Sequence, residues 1–171
     1  MKPTKKMIAQ VDVQIACDDE GLPESSEIES WLQRAIDATD KNFADEIEVA
    51  VRIVDCAESQ SLNREYRQQD KPTNVLSFPA GRIEGLPAEV SRTLGDIVIC
   101  ASIVNQEAAE QGKASGEHWA HMVVHGTLHL LGFDHVDDEE TLEMEGLETH
   151  ILTTHGIADP YGESRQRPDT I

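Results

Sequence analysis

A single α+β domain, with about four strands in a mixed sheet packed against helices, is the fold that the 171 residues predict. Two observations carry that expectation. Strand-like and helix-like patterns alternate early in the chain while helical patterns cluster late, and no internal repeat or low-complexity run divides it. A chain of this length can also bury a substantial core as one unit, so residues 1–171 are read as one domain.

Taken in order, Val11 to Cys17 alternates apolar and polar side chains, as a half-buried strand does. A helix follows, with Ser25 or Ser26 as its cap, Ser26 and Glu29 spaced as a capping box, and Ile28, Trp31, Leu32, Ala35 and Ile36 as its apolar stripe. Ile47 to Val54 is a second strand. Glu58 to Arg67 reads as a short helix that breaks before Asp70-Lys71-Pro72. Asn74 to Phe78 is a strand closed by Pro79, and residues 80–92 lack any period and read as a loop. Leu94 to Cys100 is the fourth strand. Ile103 to Gln111 is a helix stopped by Gly112, Ser115 to Leu131 a long one, and the last starts near Asp137 or Asp138 with Leu142, Leu147, Ile151 and Leu152 inward. Residues 158–171 read as a loosely held tail.

Composition narrows the function. The early residues hold no signal-like apolar run and no stretch is apolar enough to span a bilayer, so the protein is expected to be cytoplasmic and away from membranes. Cys17, Cys56 and Cys100 are far apart in sequence and form no C-x-x-C pair, which reads as reduced, buried small hydrophobes. The net charge of −19 argues against a polyanionic partner at first sight. Yet residues 52–92 are neutral, with Arg52, Arg64, Arg67, Lys71, Arg82 and Arg92 balancing six acids, so any anion site should draw on this segment.

The chemistry concentrates in residues 125–135, H-G-T-L-H-L-L-G-F-D-H. On a helix His125 and His129 share one face a turn apart, Gly132 supplies the helix stop, and His135 returns toward the same point. Three imidazoles and one open position describe a single catalytic zinc site, although such ligands also suit copper, iron or nickel. His121 cannot replace His135, because it lies two turns, about 12 Å of helix rise, from His129; it is read as a support behind the ligands or a core residue. His150 and His155 are expected at the surface. Peptidases built on this spacing carry glutamate after the first histidine as base. Here that position is Gly126, so either another carboxylate, Asp134 or Asp96, accepts the proton or a metal-bound hydroxide acts with less help, with Asp134 better suited to capping the turn or orienting a ligand.

This run, together with L-N-R-E-Y-R-Q-Q-D-K-P-T-N-V-L-S-F-P at 62–79, L-G-D-I-V-I-C at 94–100 and M-E-G-L-E-T-H-I-L-T-T-H-G-I-A-D-P-Y at 144–161, resembles the YbeY family of metal-dependent endoribonucleases. The resemblance implies zinc on His125, His129 and His135, cleavage of single-stranded RNA, small-subunit rRNA 3′ end maturation and ribosome quality control. It also implies a functional role for Arg67, whose fork can hold a phosphate by two hydrogen bonds, against the alternative of an ion pair with Asp70. Phe133 stands where the family more often has tyrosine, which removes a hydroxyl but no ligand. At −19, recruitment by the ribosome, its small subunit or an assembly protein is expected to supply much of the targeting. The rival readings are a ribosome-assembly factor with a structural metal and a zinc peptidase.

Overall fold

Ile47, Val49, Val51 and Ile53 recur at every second position of the second strand, giving it one apolar face, and the structure places this strand inside the sheet with a neighbour on each side. The computed structural model describes residues 7–41, 45–80, 93–134 and 137–161. Among these, the elements are β1 (Ile8–Ala16), α1 (Ser25–Asp37), β2 (Glu46–Val54), α2 (Cys56–Arg67), β3 (Val75–Pro79), β4 (Thr93–Cys100), α3 (Ala101–Glu110), α4 (Ser115–Leu130) and α5 (Asp138–Thr154). The sheet order is β1-β2-β4-β3; β1, β2 and β4 run parallel and β3 is antiparallel to β4. The expected mixed four-stranded sheet with helices is therefore what forms.

The two sheet faces differ. Ile47, Val49, Val51, Ile53, Ile97 and Ile99 point to one side, where α1, α4 and α5 bury them in the main core. On the other side α2 covers only the end near Val54, Leu76, Val98 and Cys100. The rest of that face is polar and open, lined by Gln10, Asp12, Glu48 and Asp96. Asp96 projects here, whereas its neighbour Ile97 meets α4, so Asp96 is removed from the candidate proton acceptors by the strand's two-residue period.

Helix α4 organises the main core. Its buried residues run almost without interruption from His118 to Leu130, so from that point on the helix is covered on most sides, and its buried histidines need polar partners inside the domain. Trp119 is fully buried and satisfies its indole by donating to Asn105 Oδ1 at 2.8 Å. The helix ends as the glycine foretold: Gly132 takes φ +103°, its N–H donates to the His129 carbonyl, and the Phe133 N–H donates to the Leu128 carbonyl. These paired bonds are the Schellman closure that a left-handed glycine permits.

Several expectations are corrected. Ser25 and Ser26 do not cap α1; the cap position is Glu24, which makes no side-chain cap bond, and both serines already lie in the helix. Helix α2 begins two residues early because the Asp55 carboxylate accepts the Glu58 N–H at 2.9 Å. In α5 the inward residues are Met144, Glu148, Ile151 and Leu152, while Leu142 faces solvent. The cysteines are not uniformly buried: Cys56 is exposed, and its sulfur lies 3.7 Å from that of Cys100. Asp159 and Tyr161, within the segment read as a loose tail, are hydrogen-bonded to α5; residues 162–171 lie outside the described set.

Gly126 marks where α4 presses hardest on the sheet. A Cβ there would sit 2.9 Å from Ile97 Cγ2 and 3.3 Å from Ser77 Oγ, closer than ordinary packing allows. Overpacking costs about 1–3 kcal/mol, partly offset by alanine's helix preference of about 1 kcal/mol. Gly126→Ala should therefore lower stability by up to about 2 kcal/mol. At Gly116 in the same helix a Cβ would meet nothing within 4 Å, so Gly116→Ala should be neutral or stabilising. Urea unfolding of the two variants checks the contrast, and equal gains at both positions would refute the close approach.

Candidate functional site

Beyond its exposed first turn, helix α4 reaches a solvent-filled space at the turn carrying His125 and His129. That space is a cleft of about 800 Å³ between α4 and the open edge of β3, lined also by Arg67, Lys71, Ser77, Phe133 and Asp134. The Nε2 atoms of His125 and His129 lie 3.1 Å apart with ring centroids at 4.6 Å. Two nitrogens each about 2.1 Å from one ion sit at close to that separation.

Behind them lies a residue that sequence patterning did not single out. Glu148 of α5 is 0% exposed, and its Oε1 is 2.5 Å from His125 Nδ1. Its Oε2 meets His121 Nε2 at 3.2 Å and also accepts from the Tyr161 hydroxyl. Burial alone pushes this carboxyl upward, but the hydrogen bonds and charges of His121 and His125 outweigh it and bring it down to about 2. An ionised carboxylate can only accept, so His125 must carry its proton on Nδ1. In the neutral ring that leaves the Nε2 lone pair facing the cleft. A carboxylate holding the far nitrogen of a histidine is the usual brace of a metal-ligating imidazole, fixing tautomer and ring angle together.

The remaining residues fall into place around this pair. Asp134 Oδ1 is 4.0 Å from His129 Nδ1, on the side where a ligand-orienting role would put it. His121 is buried and faces Glu148, so it supports the site from behind. His135 lies outside the described residues, and among the described ones no three His, Cys, Asp or Glu side chains gather to hold one ion. The donor set otherwise fits a metal: converging imidazole nitrogens with a buried anion behind them. His150 and His155 are exposed, the latter edge-on to Trp31.

Arg67 ends α2 and reaches the opposite wall. Its guanidinium donates to the Ser77 carbonyl at 3.2 Å, and the Ser77 hydroxyl donates to the Gly126 carbonyl at 3.1 Å. Asp70, the alternative partner, instead faces Arg64 at 3.6 Å. So the arginine and the histidine pair are linked through one edge-strand serine and share one cleft.

The model of the endoribonuclease YbeY family matches residues 14–156. The chain belongs to the YbeY endoribonuclease family. The solution structure of TM1509 from Thermotoga maritima is similar at 28% identity, with a TM-score of 0.52 over 91% of this chain and 93% of that one. YbeY membership assigns RNA as the substrate and rRNA processing as the setting. No helix among the described residues is long and apolar enough to cross a membrane.

The YbeY fold here also holds a second buried histidine. His118 Nε2 lies 2.9 Å from Glu107 Oε1, and Glu107 in turn accepts from Asn74 at the cleft wall. Burial pushes His118 below its usual value, with Glu107 pulling it back up and His121 and Lys113 adding to the depression. The unfolded imidazole takes its proton near pH ~6.5, before the folded one does. Stability should therefore fall as pH drops through that value toward the lower folded one. Urea unfolding of metal-stripped protein at about pH 7.5 and about pH 5.5 should show His118→Gln losing less stability than wild type over this interval. An equal loss in both proteins would remove His118 from the effect.

Proposed function

We propose that the chain is a metal-dependent endoribonuclease cutting single-stranded RNA, with His125, His129 and His135 as zinc ligands and Arg67 as the catalytic phosphate clamp. Its process is 3′ end maturation of small-subunit rRNA and ribosome quality control, in the cytoplasm. The observation that carries this reading is the shared cleft: a braced histidine pair on one wall and an arginine without a carboxylate partner among the described residues on the other.

Each side chain has a part that follows from its chemistry. Glu148 keeps the His125 proton on Nδ1 and its Nε2 lone pair in the cleft. Arg67 presents a planar fork suited to two phosphate oxygens, and can offset charge that builds on them during cleavage. Zinc, if held by His125, His129 and His135, would supply a Lewis acid and a concentrated positive charge. The net charge of −19 repels free RNA at long range, so a ribosomal or assembly protein partner brings the substrate to the cleft.

The close packing at Gly126 weighs against the peptidase alternative. No side chain fits there without displacing Ile97, so the glutamate that a zinc peptidase uses as base has no room on this helix.

Two measurements test the proposal. Glu148→Gln should weaken zinc binding about 10–100-fold in a chelator competition while the chain still folds; unchanged affinity would remove the brace from the mechanism. His129→Ala and Arg67→Ala should each abolish cleavage of a single-stranded RNA by metal-reloaded protein. A 2′,3′-cyclic phosphate end on the product would exclude direct water attack and identify the RNA 2′-hydroxyl as nucleophile, and absence of cleavage on a 2′-deoxy strand would point the same way. Folded variants that leave rRNA processing normal in cells would favour the assembly-factor alternative with a structural metal.

A further inference from the structure

Four of the six cations in residues 52–92 lie in described segments, and the fold sorts them. Arg52 is held by Glu58, with Nε 2.5 Å from Oε2, and Arg64 faces Asp70 at 3.6 Å. Arg67 and Lys71 form no ion pair among the described residues, and both line the cleft that holds His125 and His129. Arg82 and Arg92 lie outside the described set. In a chain of net charge −19, two cations on the wall of one cleft, neither in an ion pair among the described residues, are an arrangement for an anion.

The segment carrying Lys71 is also built rather than draped. Directly after Arg67, Gln68 takes the left-handed conformation at φ 57°, turning the chain sharply off the end of α2. Buried Asn63 donates through Nδ2 to the Lys71 carbonyl at 2.9 Å. Buried Ser59 donates to the Thr73 carbonyl at 2.8 Å and accepts the Thr73 N–H at 2.9 Å. Both anchors come from the inner face of α2, so the backbone of Lys71 is fixed to the helix that presents Arg67. A lysine serving only solubility needs no such support.

We propose that Lys71 binds the phosphate next to the scissile one, so that the cleft grips a single RNA strand by two consecutive phosphates. This rests on the endoribonuclease reading of the cleft. The two cations divide the work by their chemistry. Arg67 has the planar fork that can follow a phosphate whose geometry changes during reaction, while Lys71 is a point charge on a flexible stem. A contact to a phosphate that does not react is equally strong before and during the chemical step, so its loss falls on KM rather than kcat.

The experiment uses the metal-loaded full chain with single-stranded oligoribonucleotides carrying one or several phosphodiester linkages, across a salt series. Binding of a non-cleavable 2′-O-methyl strand is measured in parallel by fluorescence anisotropy. Lys71→Gln should raise KM and Kd several-fold for the longer strands and lower the salt slope of log Kd by about 0.7, the value for one phosphate contact on a single strand. It should cost less on the one-linkage substrate, and Lys71→Arg should restore most of the affinity. Arg67→Ala, in contrast, should act mainly on kcat. A Lys71→Gln protein with wild-type salt slope and wild-type KM on long strands overturns the second phosphate contact and leaves the endoribonuclease reading intact. Wild-type protein that binds and cuts no single-stranded RNA overturns that reading, and Lys71's role with it.

Discussion

An ionised carboxylate inside a protein costs several kcal/mol unless its oxygens are answered by donors, and Glu148 is the place where this chain meets that demand. Its three partners come from two parts of the fold: His121 and His125 from α4, and Tyr161 from the segment after α5. The carboxylate therefore does more than orient one imidazole. It pins α5 to the central helix, and it draws the chain beyond α5 back across the same spot. That return is itself held, because the Asp159 carboxylate accepts from the Thr149 hydroxyl and from the Tyr161 N–H. A site whose brace is part of the core is stiff by construction, which is what a metal centre or a catalytic imidazole requires.

The other constraint is the distance between α4 and the sheet. With no side chain at Gly126 the helix settles onto Ile97 and Ser77, and the Ser77 hydroxyl reaches the Gly126 carbonyl. Ser77 is on the edge strand, so its own carbonyl remains available to Arg67. One small residue thus brings the histidine wall and the arginine wall to a common cleft. The same closeness leaves no room for a glutamate base. Proteolytic chemistry and phosphate chemistry are separated here by packing as well as by residue identity.

Much of this was legible in the sequence where a pattern is local. Two-residue alternation located β1, the His125 and His129 spacing located the turn of α4 that meets solvent, and Gly132 located its end. Ranges failed where a cap decides: Asp55 starts α2 at Cys56, two residues before the expected Glu58, and Glu24 takes the position that Ser25 or Ser26 was expected to hold. Glu148 was missed for a different reason. It falls among Met144, Ile151 and Leu152 on the buried stripe of α5, and a lone acid there is read as surface because its partners are remote in sequence. An acid inside an apolar stripe on a chain with unexplained histidines was the available signal. Asp96 erred in the opposite direction, since only the register of β4 against α4 reveals that it points to the far side of the sheet.

Charge gives the last step of the argument. A protein at −19 that acts on RNA has to make positive potential locally, and it does so by pairing its other described cations of this segment away and leaving two in the cleft. Long-range repulsion and short-range attraction then act at different distances, because salt screens fields beyond about 8 Å at physiological ionic strength. At long range the net charge opposes the approach of a free strand. A strand delivered into the cleft meets Arg67, Lys71 and the imidazoles inside the screening distance, where local charge decides. Under the proposed reading, binding of free RNA is weakened by the overall charge but not abolished, because the cleft carries its own local cations.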